Sequence, residues 1–168
     1  IDQEGIRAGS CPVGDAVVLL ADTFSTYFEP ENLRAAKRVL EAAGYRVAIA
    51  KPKAGERPLC CGRTFLAAGL VDEARTEATR MLEAVLPFVR AGVPIIGLEP
   101  SCLFTLKDEF LSVLPGADSA IVAENAFLFE EFLAREIDAG TLKLDLEPLA
   151  ETEALLHGHC HQKAFAAM

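Results

Sequence analysis

The chain has 168 residues, of which 51% are hydrophobic, and its formal net charge is −9 at pH 7. This length and composition fit one globular domain with a real core and exclude a disordered chain. Lysine and arginine are scattered rather than clustered, which argues against nucleic acid or an anionic membrane surface as the main partner. No apolar run approaches the roughly 20 residues of a membrane helix, and no signal-peptide pattern opens the chain. We therefore expect a cytoplasmic protein that is not integral to a membrane.

Strands and helices are predicted to alternate along the chain. Short apolar runs predict strands buried on both faces, and apolar residues repeated every three or four positions predict amphipathic helices. In chain order, the prediction is a strand at 17–21, a loop at 22–28, a helix at 30–43, a strand at 45–50, a loop at 51–58, a helix at 64–91, a strand at 93–98, a helix at 101–114, a strand at 119–123, a helix at 125–137, an irregular stretch at 138–151 with a strand at 141–146, a strand at 154–157 and the start of a helix at 162. This alternation predicts an α/β fold, a Rossmann-like three-layer parallel sheet with helices on both faces.

Three cysteines stand at predicted entries into helices. Cys60 and Cys61 precede Gly62, and Cys102 follows the third predicted strand. In an open α/β sheet such junctions face the crevice at the carboxyl ends of the strands, where ligands bind. A glycine lets the backbone turn sharply and present both adjacent sulfurs to one side, and a helix start favours thiolate. We interpret the three cysteines as metal or redox groups, with buried packing thiols and a strained vicinal disulfide as the alternatives.

A second group of chemically active residues lies near the end of the chain, at His157, His159, Cys160 and His161. Four such residues in five positions indicate metal binding or catalysis by a thiol, although their spacing does not match a zinc finger. The alternative is a solvent-facing loop whose histidines cap the ends of helices or strands. Cys11 lies in a weakly patterned opening segment, and we interpret it as a surface or linker thiol.

These cysteine motifs resemble a known family. The runs Leu59-Cys60-Cys61-Gly62, Pro100-Ser101-Cys102 and His159-Cys160-His161 are similar to the cysteine-rich CCG domain that occurs in heterodisulfide reductase and in the iron–sulfur component of glycolate oxidase. Residues 22–30 and 125–133 look most like the carboxyl-terminal part of FAD-linked D-2-hydroxyacid dehydrogenases.

The resemblance implies an electron-transfer function. It implies an iron–sulfur cluster of the four-iron type, which takes electrons from FAD in a flavin domain of the same or a partner chain and passes them to an acceptor. The flavin domain would oxidise a 2-hydroxy acid, and the chain alone would be an inactive part of this oxidoreductase. The longer parent protein would be cytoplasmic or peripheral at the inner membrane. The implied cofactor ligands are Cys60, Cys61, Cys102 and Cys160, with His159 and His161 as further metal ligands.

The resemblance also divides the chain. Residues 1–14 are expected to form a weakly structured linker, 15–153 a first CCG-type unit, and 154–168 the start of a second unit that is truncated. Two family cysteines are missing, because Asp22 follows the first predicted strand and Thr105 stands three residues after Cys102. These departures leave open a non-redox structural or docking domain, with no metal or with zinc on the three cysteines and a histidine or Asp22.

Overall fold

A computed structural model describes residues 15–142, 144–150 and 153–165. Within these residues four strands form one all-parallel sheet, in the order β2-β1-β3-β4. The strands are β1 (Ala16–Leu19), β2 (Arg46–Ala48), β3 (Ile95–Gly97) and β4 (Ala126–Leu128). The predicted α/β class with a parallel sheet is confirmed.

Helices fill the connections between the strands. In the described part of the chain they are α1 (Thr23–Tyr27), α2 (Pro30–Ala42), α3 (Arg63–Ala67), α4 (Val71–Arg90), α5 (Pro100–Lys107), α6 (Glu109–Val113), α7 (Ala117–Glu124), α8 (Phe129–Asp138) and α9 (Cys160–Ala164). None of the helices in the described residues is long and apolar enough to cross a membrane.

The sheet separates two apolar layers, because successive side chains of a strand point to opposite faces. Val17 and Leu19 of β1 pack on one face with Leu40 of α2 and Phe132 of α8. Val18, on the other face, belongs to a larger cluster to which α4, α5, α6 and α7 contribute. Helices therefore cover both faces of the sheet, as the unbroken apolar strands predict.

The long helix predicted at 64–91 is wrong in one respect, since two helices occupy this range. Gly69 has a φ of +77°, which ends α3, and α4 begins at Val71. The apolar period continues across the break, so periodicity alone does not reveal it. Pro87 lies inside α4 without ending it.

The strand predicted at 119–123 is also wrong, because these residues lie in α7 and the fourth strand follows at Ala126–Leu128. A short apolar run fits a buried helix as well as a strand. Asn125, the predicted cap of the next helix, instead donates a hydrogen bond from its side chain to the Ile121 carbonyl at the end of α7.

Three smaller predictions near helix starts need correction. The loop predicted at 22–28 contains α1, whose N-cap is Asp22. The helix predicted at 101–114 is divided at Asp108 into α5 and α6, and Glu99 rather than Ser101 caps its start.

The strands predicted at 154–157 and 141–146 are not found. Residues 154–157 are exposed, and a strand needs a hydrogen-bonded neighbour, which no described residue provides there. The described residues of 141–146 also form no strand. The expected linker 1–14, including Cys11, lies outside the described residues.

Candidate functional site

A cleft of about 520 Å³ opens at the carboxyl ends of β1 and β3. The chain runs from β1 to β2 on one side and then to β3 on the other, so the connections diverge between β1 and β3. This divergence is the usual ligand position in an open α/β sheet. The cleft is lined by Cys60, Cys61 and Cys102 together with residues that follow β1 and β3.

The Cys61 thiol interacts with the thiols of both Cys60 and Cys102 in this cleft. Cys61 and Cys102 are buried and Cys60 is half-buried. The hydrogen bond with the Cys102 thiol, together with burial, raises the pKa of Cys61 to about 12. Contact with the Cys61 thiol, together with burial, raises the pKa of Cys60 well above its ordinary value. Without a bound cation Cys60 and Cys61 are therefore neutral at pH 7, contrary to the expectation that the helix start favours thiolate. A metal ion reverses this preference, since thiols ionise on binding it.

Gly62 determines how the cysteine pair meets the rest of the fold. Its φ is +87°, and a Cβ at this position would lie 2.8 Å from the Ala74 carbonyl oxygen. Its backbone N–H also donates to the Cys60 sulfur over 3.4 Å. Only glycine combines this left-handed conformation with such a close approach to α4. The predicted sharp turn after the cysteine pair is thus present.

A buried carboxylate, Glu77 of α4, anchors the loop that leads to the cysteines. Only 1% of Glu77 is exposed, and its carboxylate binds the guanidinium groups of Arg57 and Arg80. Arg80 reaches further, to Glu56 at 3.2 Å and to the Pro58 carbonyl at 3.5 Å. No pattern in the sequence predicted this network. The one sign of it in the sequence is Glu77 itself, an acidic residue at a position where the helical period of α4 places buried apolar side chains.

Asp22 follows β1 at the same edge of the sheet. Its Oδ1 accepts a hydrogen bond from the Ser25 amide at 2.8 Å and thereby caps α1. Its Oδ2 is buried and has no hydrogen-bond partner among the described residues. Asp22 lines a small cavity together with all three cysteines.

Glu99 and Ser101 position the start of α5. The Glu99 carboxylate accepts a hydrogen bond from the Cys102 amide at 2.6 Å. This amide is therefore not free to stabilise a thiolate. Thr105, which stands where the resemblance expects a cysteine, is buried and donates from Oγ1 to the Ser101 carbonyl at 2.7 Å.

Of the residues at 157–161, His159 and His161 pack on α5 rather than in the cleft. His159 Nδ1 accepts the His161 amide at 3.1 Å, and its Nε2 lies 3.3 Å from Ser101 Oγ, so both ring nitrogens are engaged. His161 stacks edge-on against Phe104, and its Nδ1 is buried without a partner in the described residues. Cys160 and His157 are exposed.

The structure thus brings together three of the four predicted cysteine ligands. Cys160, His159 and His161 are not among the residues that line the cleft. In the described part of the chain, no three Cys, His, Asp or Glu side chains converge closely enough to form an ion site. The donor chemistry of the small cavity nevertheless suits a thiophilic metal, because it is lined by three thiols and by a carboxylate with one oxygen that has no partner among the described residues.

The fold and the site therefore define a class of protein. It is an α/β domain with a cleft that is lined by thiols and lies where the strand connections diverge. The chain is similar to one component of the anaerobic glycerol-3-phosphate dehydrogenase of Escherichia coli strain K12, with 29% identity over 159 residues. The corresponding component from Escherichia coli O157:H7 is equally similar. The similarity covers 94% of this chain, which spans only 38% of the length of these curated relatives. No family model matches the chain. No solved structure matches it either.

Proposed function

We propose that the chain is an electron-transfer module of an oxidoreductase, and that Cys60, Cys61 and Cys102 hold an iron–sulfur cluster. The observation that carries this proposal is the meeting of three thiols in one cleft between the ends of β1 and β3. Thiolates are the usual ligands of such clusters. The similarity to a protein named as part of a dehydrogenase supports an oxidoreductase context.

The cleft suits a cluster in size and polarity. Its volume of about 520 Å³ exceeds that of a single ion, and its lining contains both apolar and polar groups. When bound, the cluster supplies a centre that accepts and releases single electrons. The chain's own residues bind it, with Cys61 and Cys102 as buried donors and Cys60 as the more exposed one. Burial and hydrogen bonds to sulfur are the protein's means of tuning the potential of the cluster.

The electron donor in this proposal is FAD in a flavin domain, and a separate acceptor receives the electrons. The relatives are named for glycerol-3-phosphate, whereas the resemblance implies a 2-hydroxy acid. Both compounds carry a secondary alcohol, so we propose a flavin domain that oxidises this class of substrate. We place the protein in the cytoplasm, because its four described cysteines are free and a reducing compartment keeps them so.

Cys160, His159 and His161 stay predicted ligands in this proposal. His159 would have to exchange its contact with Ser101 or with the His161 amide for a metal. His161 Nδ1 has no such contact to lose among the described residues.

Metal and sulfide analysis with a visible spectrum tests the proposal on anaerobically purified chain. We expect iron and sulfide with brown colour, lost in Cys61→Ser. The comparison variant Cys160→Ser decides whether the cleft cysteines suffice, since loss there too would add Cys160 to the ligands. A colourless wild-type chain without iron and sulfide would refute the proposal.

A single zinc ion in a structural site is the second candidate function. The observation that favours it is the small cavity beside the cleft, about 10 Å³ in volume, which is lined by the same three cysteines and Asp22. A cavity of this size holds about one water-sized sphere. One zinc per chain without visible absorption, retained after dialysis, would support this candidate over the cluster.

A further inference from the structure

We propose that the Ser101 hydroxyl donates a hydrogen bond to a sulfur atom of the metal group in the cleft, and that His159 positions this hydroxyl by donating to it from Nε2. The inference rests on the proposed function to the extent that Cys60, Cys61 and Cys102 must bind a metal. It gives His159 a positioning role through Ser101, as the alternative to the ligand role that the resemblance implies.

The first argument is the tautomer of the His159 ring. Its Nδ1 accepts a hydrogen bond from the His161 amide at 3.1 Å, so this nitrogen carries no proton. We infer that the ring proton lies on Nε2, which is 3.3 Å from Ser101 Oγ. Because Nε2–H donates, Ser101 Oγ accepts in this contact, and the hydroxyl proton stays available for another acceptor.

The second argument is that contacts on both sides of His159 hold its ring beside α5. His159 is the N-cap of α9, and its backbone N–H donates to Gln162 Oε1 at 3.0 Å. The rings of His161 and Phe165 pack on Phe104 of α5, with centroids 5.7 Å and 5.0 Å from that of Phe104. These contacts fix α9 against α5, and they fix the imidazole beside the first turn of α5 with it.

The third argument is the choice of donors on this side of the cleft. A continuous stretch after β3 lines it. Leu98 is apolar, Pro100 has no N–H, and the Glu99 carboxylate is an acceptor that already binds the Cys102 amide at 2.6 Å. The Cys102 thiol loses its proton when it binds a metal. The Ser101 hydroxyl is therefore the side-chain donor that this stretch offers to a bound sulfur.

Such a hydrogen bond changes the properties of the metal group, because it withdraws negative charge from the sulfur. In an iron–sulfur cluster it favours the reduced form, which carries more negative charge, and so raises the reduction potential. On the α3 side of the cleft, the Gly62 N–H already donates to the Cys60 sulfur. Ser101 supplies the corresponding contact on the α5 side.

Anaerobic titration with Co²⁺ tests the donor role of Ser101 without iron, sulfide or catalytic activity. Thiolate-to-cobalt charge-transfer bands move to longer wavelength when a hydrogen bond to the sulfur is lost. We expect this shift in Ser101→Ala, whereas Ser101→Thr keeps a hydroxyl and should keep the wild-type bands. Thr64→Val is the matched control, because it removes another hydroxyl that lines the cleft and should leave the bands in place.

His159→Asn separates positioning from ligation. Asparagine is a good N-cap, so it keeps an acceptor for the His161 amide, but its shorter side chain ends before Ser101. A positioning role predicts one Co²⁺ per chain, the same band shift as in Ser101→Ala, and no further shift in the double variant. Nitrogen NMR of the wild-type chain should also find the His159 proton on Nε2, both without metal and with Zn²⁺ bound.

Unshifted bands in Ser101→Ala would overturn the inference, and so would a wild-type chain that binds no Co²⁺. Loss of Co²⁺ binding in His159→Asn, or loss of the Nε2 proton on Zn²⁺ binding, would make His159 a ligand and overturn it too. The NMR measurement needs only the wild-type chain, so it decides the question even if His159→Asn folds poorly.

These outcomes are distinct from failure of the proposed function. If the chain holds a cluster, Ser101→Ala should lower the ratio of its reduced to its oxidised form at a fixed potential about three- to tenfold, as expected for one lost hydrogen bond. Iron and sulfide in a chain whose Co²⁺ bands ignore Ser101 would refute only the donor role. A shift that depends on Ser101 in a chain that never holds iron and sulfide would refute only the electron-transfer proposal.

Discussion

Replacing Glu77 by glutamine tests whether one buried carboxylate holds the cysteine loop against α4. The Glu77 carboxylate accepts a hydrogen bond from Arg80 Nη1 at 2.7 Å. Only 1% of the Glu77 side chain and 15% of the Arg80 side chain are exposed. It also pairs with Arg57, whose side chain is 62% exposed. Glutamine keeps the size of the side chain but replaces one acceptor oxygen with an N–H₂ group, which faces a guanidinium unfavourably.

The magnitude follows from the exposure of each partner. A hydrogen bond to a charged group contributes about 1.5–3 kcal/mol, which applies to the buried Arg80 contact. An exposed ion pair contributes about 0.2–1 kcal/mol, which applies to Arg57 because solvent screens it. We therefore expect Glu77→Gln to lower the free energy of unfolding by about 2–4 kcal/mol. For a chain of this length that corresponds to a fall in Tm of about 4–16 °C.

Urea unfolding followed by far-ultraviolet circular dichroism measures this change, since the chain has no tryptophan for fluorescence. Glu83→Gln is the matched control. The Lys53–Glu83 pair also joins the loop to α4 and loses the same charge, but its side chains are 70% and 51% exposed. We expect Glu83→Gln to lower the free energy of unfolding by about 0.5 kcal/mol or less.

Equal destabilisation by the two variants would refute the reasoning, because burial would then not matter. A double-mutant cycle with Arg80→Met should give a coupling energy of about 1–3 kcal/mol with Glu77. A coupling near zero would show that the two side chains stabilise the fold independently, in spite of their contact.

Three further predictions concern the cysteines and their turn. Gly62→Ala should lower the free energy of unfolding by about 3 kcal/mol or more, because an alanine in this left-handed conformation would also clash with the Ala74 carbonyl. Gly69→Ala is its control in the same urea assay and should lower this free energy by about 1 kcal/mol, because the space around Gly69 is open. The pKa of Cys61 is raised from 9.0 to about 12, so its contribution to the stability of the metal-free chain is complete below pH 9 and is lost as the pH rises towards 12. The urea midpoint should therefore fall between about pH 8 and about pH 10.5, and a smaller fall in Cys61→Ser would trace the loss to the Cys60–Cys61 pair, because contact with Cys61 also raises the pKa of Cys60. Iodoacetamide at neutral pH should label the exposed Cys160 before the buried Cys61, as peptide mass analysis would show, and the reverse order would contradict their described exposure.

Sequence alone determined the class of fold and the location of the cysteines within it. Continuous apolar runs such as 17–21 predict strands buried on both faces, and β1 begins one residue before that run and ends two residues before the end of it. Pro30 and Gly44 bracket α2 because proline fits a first turn and glycine ends a helix. These signals are local, so they can be read from neighbouring residues.

Tertiary structure decided which groups form the site. Glu77 is buried because arginines from the preceding loop and from its own helix reach it, and no periodic pattern encodes that contact. The apolar run at 119–123 forms a helix that packs on α4 and α5, and its Val122 belongs to the apolar cluster to which both of these helices contribute. In sequence Asp22 is one of several candidates for a fourth ligand. Only the structure shows that Asp22 lines a cavity with the three cysteines and that its second oxygen is buried, with no hydrogen-bond partner among the described residues. Burial and charge balance depend on residues far apart in the chain, which is why sequence could place the thiols but not complete their site.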